Sequence, residues 1–161
     1  MWQWMFYSPP CRHCGPHGCA RYLADCHAQV RQAAVGFGAI DFRVANIMDY
    51  DPNTEGPWDL VVMSETICYL GWLYSLFDVV WLACQLLSAT SFGGRLLMAN
   101  TCAGVEDYLL RPWIIRTYRD LFPNVGYHRE VEEIFHSTKN GVDIEVLISL
   151  FAKVSSTDSA K

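Results

Sequence analysis

Asp59-Leu-Val-Val-Met-Ser-Glu-Thr-Ile-Cys-Tyr-Leu70 is the stretch on which the reading of the chain turns. Leu60 to Met63 is a short, wholly apolar run of the kind found in strands buried on both faces. Such a strand belongs to a parallel sheet covered by helices, so the predicted fold class is α/β. The run stops at Ser64-Glu65, where the backbone must leave the sheet. Ligands of open α/β sheets bind at the carboxyl ends of the strands, which makes an acid at that edge a site candidate. Both residue types also suit the first turn of a helix, and on pattern alone the two readings stand together.

Downstream, Thr66 to Ala89 is strongly apolar, interrupted by Asp78, Gln85 and a few small residues. At helical spacing Leu73, Leu76, Phe77, Val80, Cys84 and Leu87 share a face, with Tyr74, Ser75, Asp78 and Gln85 opposite. This predicts an amphipathic helix laid over the sheet and reaching about Ser88. A membrane span fits less well, because Asp78 near mid-bilayer would cost about 2.5–3.5 kcal/mol. Ser91-Phe-Gly-Gly then turns the chain into a second apolar strand, Arg95 to Ala99. A helical segment is predicted over residues 105–121, kinked or restarted by Pro112. Tyr127 to Ser137 and Val142 to Phe151 read as a hairpin joined by Thr138-Lys-Asn-Gly141, since Asn-Gly is the strongest short hairpin signal. Residues 155–161 form a polar, disordered tail.

Upstream, Ala20 to Ala34 suits a helix, with Tyr22, Leu23, Cys26, Val30 and Ala33 or Ala34 recurring at three- and four-residue steps. Gly36 and Gly38 close it, and Ile40 to Ile47 alternates as a strand ahead of the turn-rich segment from Asp49 to Pro57. Residues 1–19 form an irregular Cys/His-rich leader in which Pro9 and Pro10 stop any regular element. Cys11 and Cys14 have C-x-x-C spacing, and His17, Cys19 or Cys26 could complete a zinc set. No second defined pair follows, and the adopted reading is a leader without metal. By length the chain is one domain, divided as leader 1–19, domain 20–154 and tail 155–161.

The 161 residues carry a net charge of −5, and their Lys and Arg residues are scattered. A nucleic-acid partner would call for a basic face or stripe, so none is expected, nor is a membrane. Four of the seven cysteines lie before residue 27, and no secretory signal is evident. The expected compartment is the reduced cytoplasm.

Trp58 to Leu70 resembles the segment around the fourth strand of class I S-adenosylmethionine-dependent methyltransferases, closest to the nodulation protein S (NodS) type. Gly93-Gly-Arg-Leu-Leu-Met-Ala99 and Phe135-His-Ser-Thr-Lys-Asn-Gly-Val-Asp-Ile-Glu-Val-Leu-Ile-Ser-Leu-Phe151 fit the same family, and the match runs over roughly residues 40–153. The resemblance implies a partial Rossmann-like sheet: strands 3, 4 and 5, then a 6/7 antiparallel hairpin, out of a full order 3-2-1-4-5-7-6. It implies S-adenosyl-L-methionine as cofactor and in-line methyl transfer to a small acceptor, an amino-sugar oligosaccharide or similar amine. Position by position, Asn46 and Ile47 match the adenine contacts, with Asp49 a rival that reads better as a turn residue. Ser64 and Glu65 match the methionine end of the cofactor, and Tyr69 and Trp113 would face the acceptor. Glu65 and then His136 are the candidate bases.

The family's glycine-rich turn after strand 1, and its carboxylate after strand 2, have no match. Cys14-Gly-Pro-His-Gly18 echoes the turn, but no apolar strand is read before it and Pro16 removes a backbone donor. The chain therefore reads as an N-terminally truncated member. Two alternatives are a catalytically defective remnant and a small zinc-binding interaction module on Cys11 and Cys14. Without strand 1, the Leu60–Met63 strand becomes a sheet edge open to self-association, unless the strand from Ile40 shifts inward to pair with it.

Overall fold

The computed structural model describes residues 2–6, 40–103, 112–139 and 141–155. They fall into two compact units, Met1–Asp51 and Pro52–Lys161. The predicted helix over 20–34, the Cys/His-rich segment and most of the polar tail lie outside the described residues.

In the first unit, strand β1 (Trp2–Phe6) pairs in parallel with β2 (Ile40–Val44), Trp2 opposite Ile40 and Phe6 opposite Val44. The head was expected to be irregular. Aromatic Trp2, Trp4 and Phe6 favour a strand, and it is complete before Pro9 intervenes. An apolar strand thus does precede Cys14-Gly-Pro-His-Gly18. The expected inward shift of the Ile40 strand is also corrected, because its partner is β1. β2 stops at Val44, short of the predicted Ile47, because residues 47–49 form a turn.

The second unit holds a four-stranded sheet in the order β3-β4-β6-β5. Its strands are β3 (Trp58–Ser64), β4 (Thr90–Ala103), β5 (His128–Lys139) and β6 (Val142–Ala152). β3 and β4 run parallel, Val62 opposite Leu97, whereas β6 is antiparallel to both β4 and β5. This is the 4-5-7-6 half of the expected order, and β3 is its end strand. The hairpin turns at Gly141, whose φ of 78° lies in the region that glycine enters without steric cost.

Between β3 and β4 the apolar stretch is two helices, α1 (Ile67–Leu73) and α2 (Leu76–Ala89), where one was predicted. The break is set by Ser75, which caps α2 by accepting from the Asp78 N–H while Asp78 Oδ2 accepts from the Ser75 N–H. No described helix is long and apolar enough to cross a membrane. The buried stripe of α2 is Val79, Leu82, Ala83, Leu86 and Ala89. The predicted stripe was the other one: Phe77 is 83% exposed, Leu76 49%. α2 carries two apolar stripes, and the one with two alanines packs inward, where small side chains let a helix approach a sheet closely.

Of the helical segment predicted over 105–121, residues 105–111 lie outside the described residues; the rest is helix α3 (Pro112–Arg119) and the short α4 (Leu121–Val125). Leu96, Met98, Asn100 and Cys102 alternate along β4 as fully buried residues. With Phe151, Phe122, Leu82 and Ile115 they form the core. Arg119 ties α3 to the hairpin. Only 6% exposed, it pairs with Glu132 of β5 and lies 2.9 Å from Asp120 Oδ1.

Candidate functional site

β3 ends at Ser64, and the next residue leaves the sheet with a left-handed backbone. Glu65 has φ = 51°, a conformation that costs a non-glycine residue on the order of 1–3 kcal/mol. Three hydrogen bonds hold it there. Its N–H donates to the Ala99 carbonyl at 2.8 Å. Its Oε1 accepts from the Thr101 N–H at 2.8 Å and from Thr101 Oγ1 at 2.7 Å. The carboxylate is thereby fastened across the carboxyl ends of β3 and β4, with Oε2 lacking a hydrogen-bond partner among the described residues. Thr66 Oγ1 donates to the Ser64 carbonyl at 2.9 Å, and α1 begins only at Ile67. Neither Ser64 nor Glu65 therefore lies in the helix, and both are exposed.

α1 stands directly beyond this edge and presents Tyr69, 37% exposed. Three residues on, along the same helix side, Trp72 is 46% exposed. Trp72 was not among the predicted site residues, although its spacing from Tyr69 was legible once a helix was placed there. α1 packs on α3 through Gly71 and Tyr118, whose hydroxyl donates to the Gly71 carbonyl at 3.1 Å. α3 carries Trp113, 66% exposed. The expected acceptor residues Tyr69 and Trp113 thus sit on adjacent helices.

Of the other predicted residues, Asn46 and Ile47 belong to the first unit. Asn46 closes its own turn: Oδ1 accepts from the Met48 N–H at 3.2 Å and Nδ2 donates to Asp49 Oδ2 at 2.9 Å. Asp49 is the turn residue it was expected to be, its N–H donating to the Asn46 carbonyl at 3.0 Å. His136 faces Glu145 across the hairpin, Nδ1 to Oε1 3.8 Å, with its side chain 77% exposed. β4 and β6 intervene between it and β3, so it lies about 14 Å from Glu65 by strand spacing alone. These two candidate bases cannot act on one atom. An open depression of about 410 Å³ beside His136 is lined by Ala103, Ser137, Thr138, Asp143, Ile144 and Glu145. It belongs to the hairpin tip and not to the Glu65 edge. Among the described residues no group of three or more His, Cys, Asp or Glu side chains could hold a metal ion, and Cys11 and Cys14 lie outside them.

No protein-family model matches the sequence, and no curated protein matches it. Solved structures do resemble the fold. The N-methyltransferase NodS from Bradyrhizobium japonicum WM9 superposes with a TM-score of 0.61 at 15% identity, over 81% of this chain and 69% of that one. The same enzyme in complex with S-adenosyl-L-homocysteine gives 0.61 at 14% identity, over 80% and 61%. A SAM-dependent methyltransferase from Methanosarcina mazei gives 0.53 at 12% identity, over 81% and 78%. This chain thus spans about two thirds of the NodS length. At such identities the likeness is one of fold alone: the sheet and its flanking helices resemble those of the methyltransferase structures.

Proposed function

We propose that a chain with this fold is an S-adenosylmethionine-dependent methyltransferase acting on the nitrogen of an amino-sugar oligosaccharide or a similar small amine. The observation that carries the reading is Glu65, held in a strained backbone and pinned by Thr101 at the carboxyl edge of the sheet. Strain of this kind persists only where surrounding contacts over-determine it, and it collects at ligand edges.

The residues present fit the methionine end of the cofactor. Ser64 and Glu65 are exposed at the strand end, and Oε2 of Glu65 is open to an ammonium group or a proton. The adenine end fits less well, because the Asn46 amide is engaged in its own turn and no glycine-rich turn of the usual form is encoded. The cofactor, when bound, supplies an electrophilic methyl group on sulfur. The protein's share is alignment and exclusion of water. Tyr69, Trp72 and Trp113 present aromatic surface suited to the apolar faces of a sugar ring. An amine attacks only when neutral, and Glu65 Oε2 is the nearest place to hold its proton; His136 is too distant for that step.

A second reading keeps the fold without the activity, and it is favoured by the engaged Asn46 amide and the missing glycine turn. Calorimetric titration of the chain with S-adenosylhomocysteine separates the two. Saturable binding supports the enzyme. A folded chain that binds nothing supports the remnant. Glu65→Gln keeps an oxygen for Thr101 and removes the charge, so it should weaken binding at least tenfold, about 1.4 kcal/mol, with an unchanged circular dichroism spectrum. Undiminished binding would remove Glu65 from the site.

A further inference from the structure

We infer that the outward face of α2 is a self-complementary seam that pairs two copies of this chain. Phe77, Trp81, Cys84 and Ser88 follow one another at steps of four, three and four residues, the spacing of a helix–helix contact line. All four are exposed, Phe77 83% and Trp81 47%. In an antiparallel pair related by a two-fold axis through the middle of Leu76–Ala89, between residues 82 and 83, Phe77 falls opposite Ser88 and Trp81 opposite Cys84. Each large ring meets a small side chain, and the two-fold repeats both contacts, as an isologous interface requires.

Charge is matched in the same arrangement. The stretch 66–94 contains one charged residue, Asp78, exposed in the first turn of α2. At the other end of the helix Lys153 Nζ donates to the carbonyls of Ser88 at 3.2 Å and Thr90 at 2.7 Å. An antiparallel pair brings the Asp78 end of α2 in one copy to the Ser88 end in the other, where Lys153 is bound, twice. A lipid surface is the weaker occupant, because interfacial helices rely on Lys and Arg along the polar face and α2 has none. Leu76, Phe77 and Trp81 alone expose about 350 Å² per copy. With their neighbours a pair approaches about 1,000 Å², the lower bound of a specific interface, so association is weak and concentration-dependent.

Sedimentation velocity of the full chain between about 1 and 200 μM, where an interface of this size dissociates, tests the seam. A monomer–dimer equilibrium is expected, weakened at least tenfold by Trp81→Glu. Ser88→Trp is the discriminating variant. It fills the space opposite Phe77 and should also weaken the dimer at least tenfold, whereas an unspecific apolar contact would tighten. Benzoylphenylalanine at position 77 should cross-link to the peptide containing Ser88 of a second copy. A monomer throughout, a tighter dimer in Ser88→Trp, a cross-link into β3 in place of α2, or flotation of the monomer with phosphatidylglycerol vesicles would each overturn the inference.

Discussion

Tyr127 shows how one residue ties burial to pH. Its ring packs against Phe122 and Phe151, centroids 6.1 and 6.4 Å away, and only 3% of it is exposed. Thr90 Oγ1 gives its single proton to the Leu86 carbonyl at 2.7 Å, so Tyr127 donates in the 2.7 Å bond to Thr90. Burial pushes the phenol up to about 12. The unfolded chain releases this proton near pH 10. The contribution is therefore whole below that pH and is lost between about pH 10 and 12, amounting to about 2–3 kcal/mol. Urea denaturation across that window should show the fall in the native chain and a flatter profile in Tyr127→Phe. Asn100 makes the opposite point. It is 0% exposed, and neither Oδ1 nor Nδ2 has a hydrogen-bond partner among the described residues. An unsatisfied buried amide costs about 1–3 kcal/mol, so Asn100→Leu should stabilise the chain by that order in chemical denaturation. A loss of stability would reveal a buried water or ligand on the amide.

Between elements, the α1–α3 contact is the one that positions the proposed acceptor face. A Cβ on Gly71 would meet the Tyr118 ring at 2.2 to 2.9 Å. Gly71→Ala should therefore cost about 1–3 kcal/mol, although alanine alone favours a helix by about 1 kcal/mol. In a Tyr118→Ala background the clash is gone and the same substitution should become neutral or stabilising. Additive effects in that double-mutant cycle would deny the contact. Elements with local signals were legible. The Asn-Gly hairpin and the apolar run of β3 needed nothing beyond their own neighbourhoods. The buried stripe of α2 was not legible, because both stripes are apolar and only the sheet beneath selects between them.

At the scale of the molecule, the buried core described above lies entirely within residues 52–161. That unit expressed alone should unfold cooperatively in urea, and a broad, non-cooperative transition would show that residues 1–51 are needed for the fold. The strand order of the second unit was implied by the methyltransferase resemblance, whereas the α/β class and the candidate edge at Ser64-Glu65 followed from apolar runs and turn residues close together in the chain. The partner of the Ile40 strand did not, since the pairing with Trp2–Phe6 joins segments more than thirty residues apart. Nor did the bond from Glu65 to Thr101, 36 residues on, or the separation of Glu65 from His136 by two intervening strands. Local patterns determine which segments become strands and helices, because propensity and periodicity act within a few residues. Register and the choice of buried face are settled only when distant segments meet, because the free energy that selects them arises from their contact.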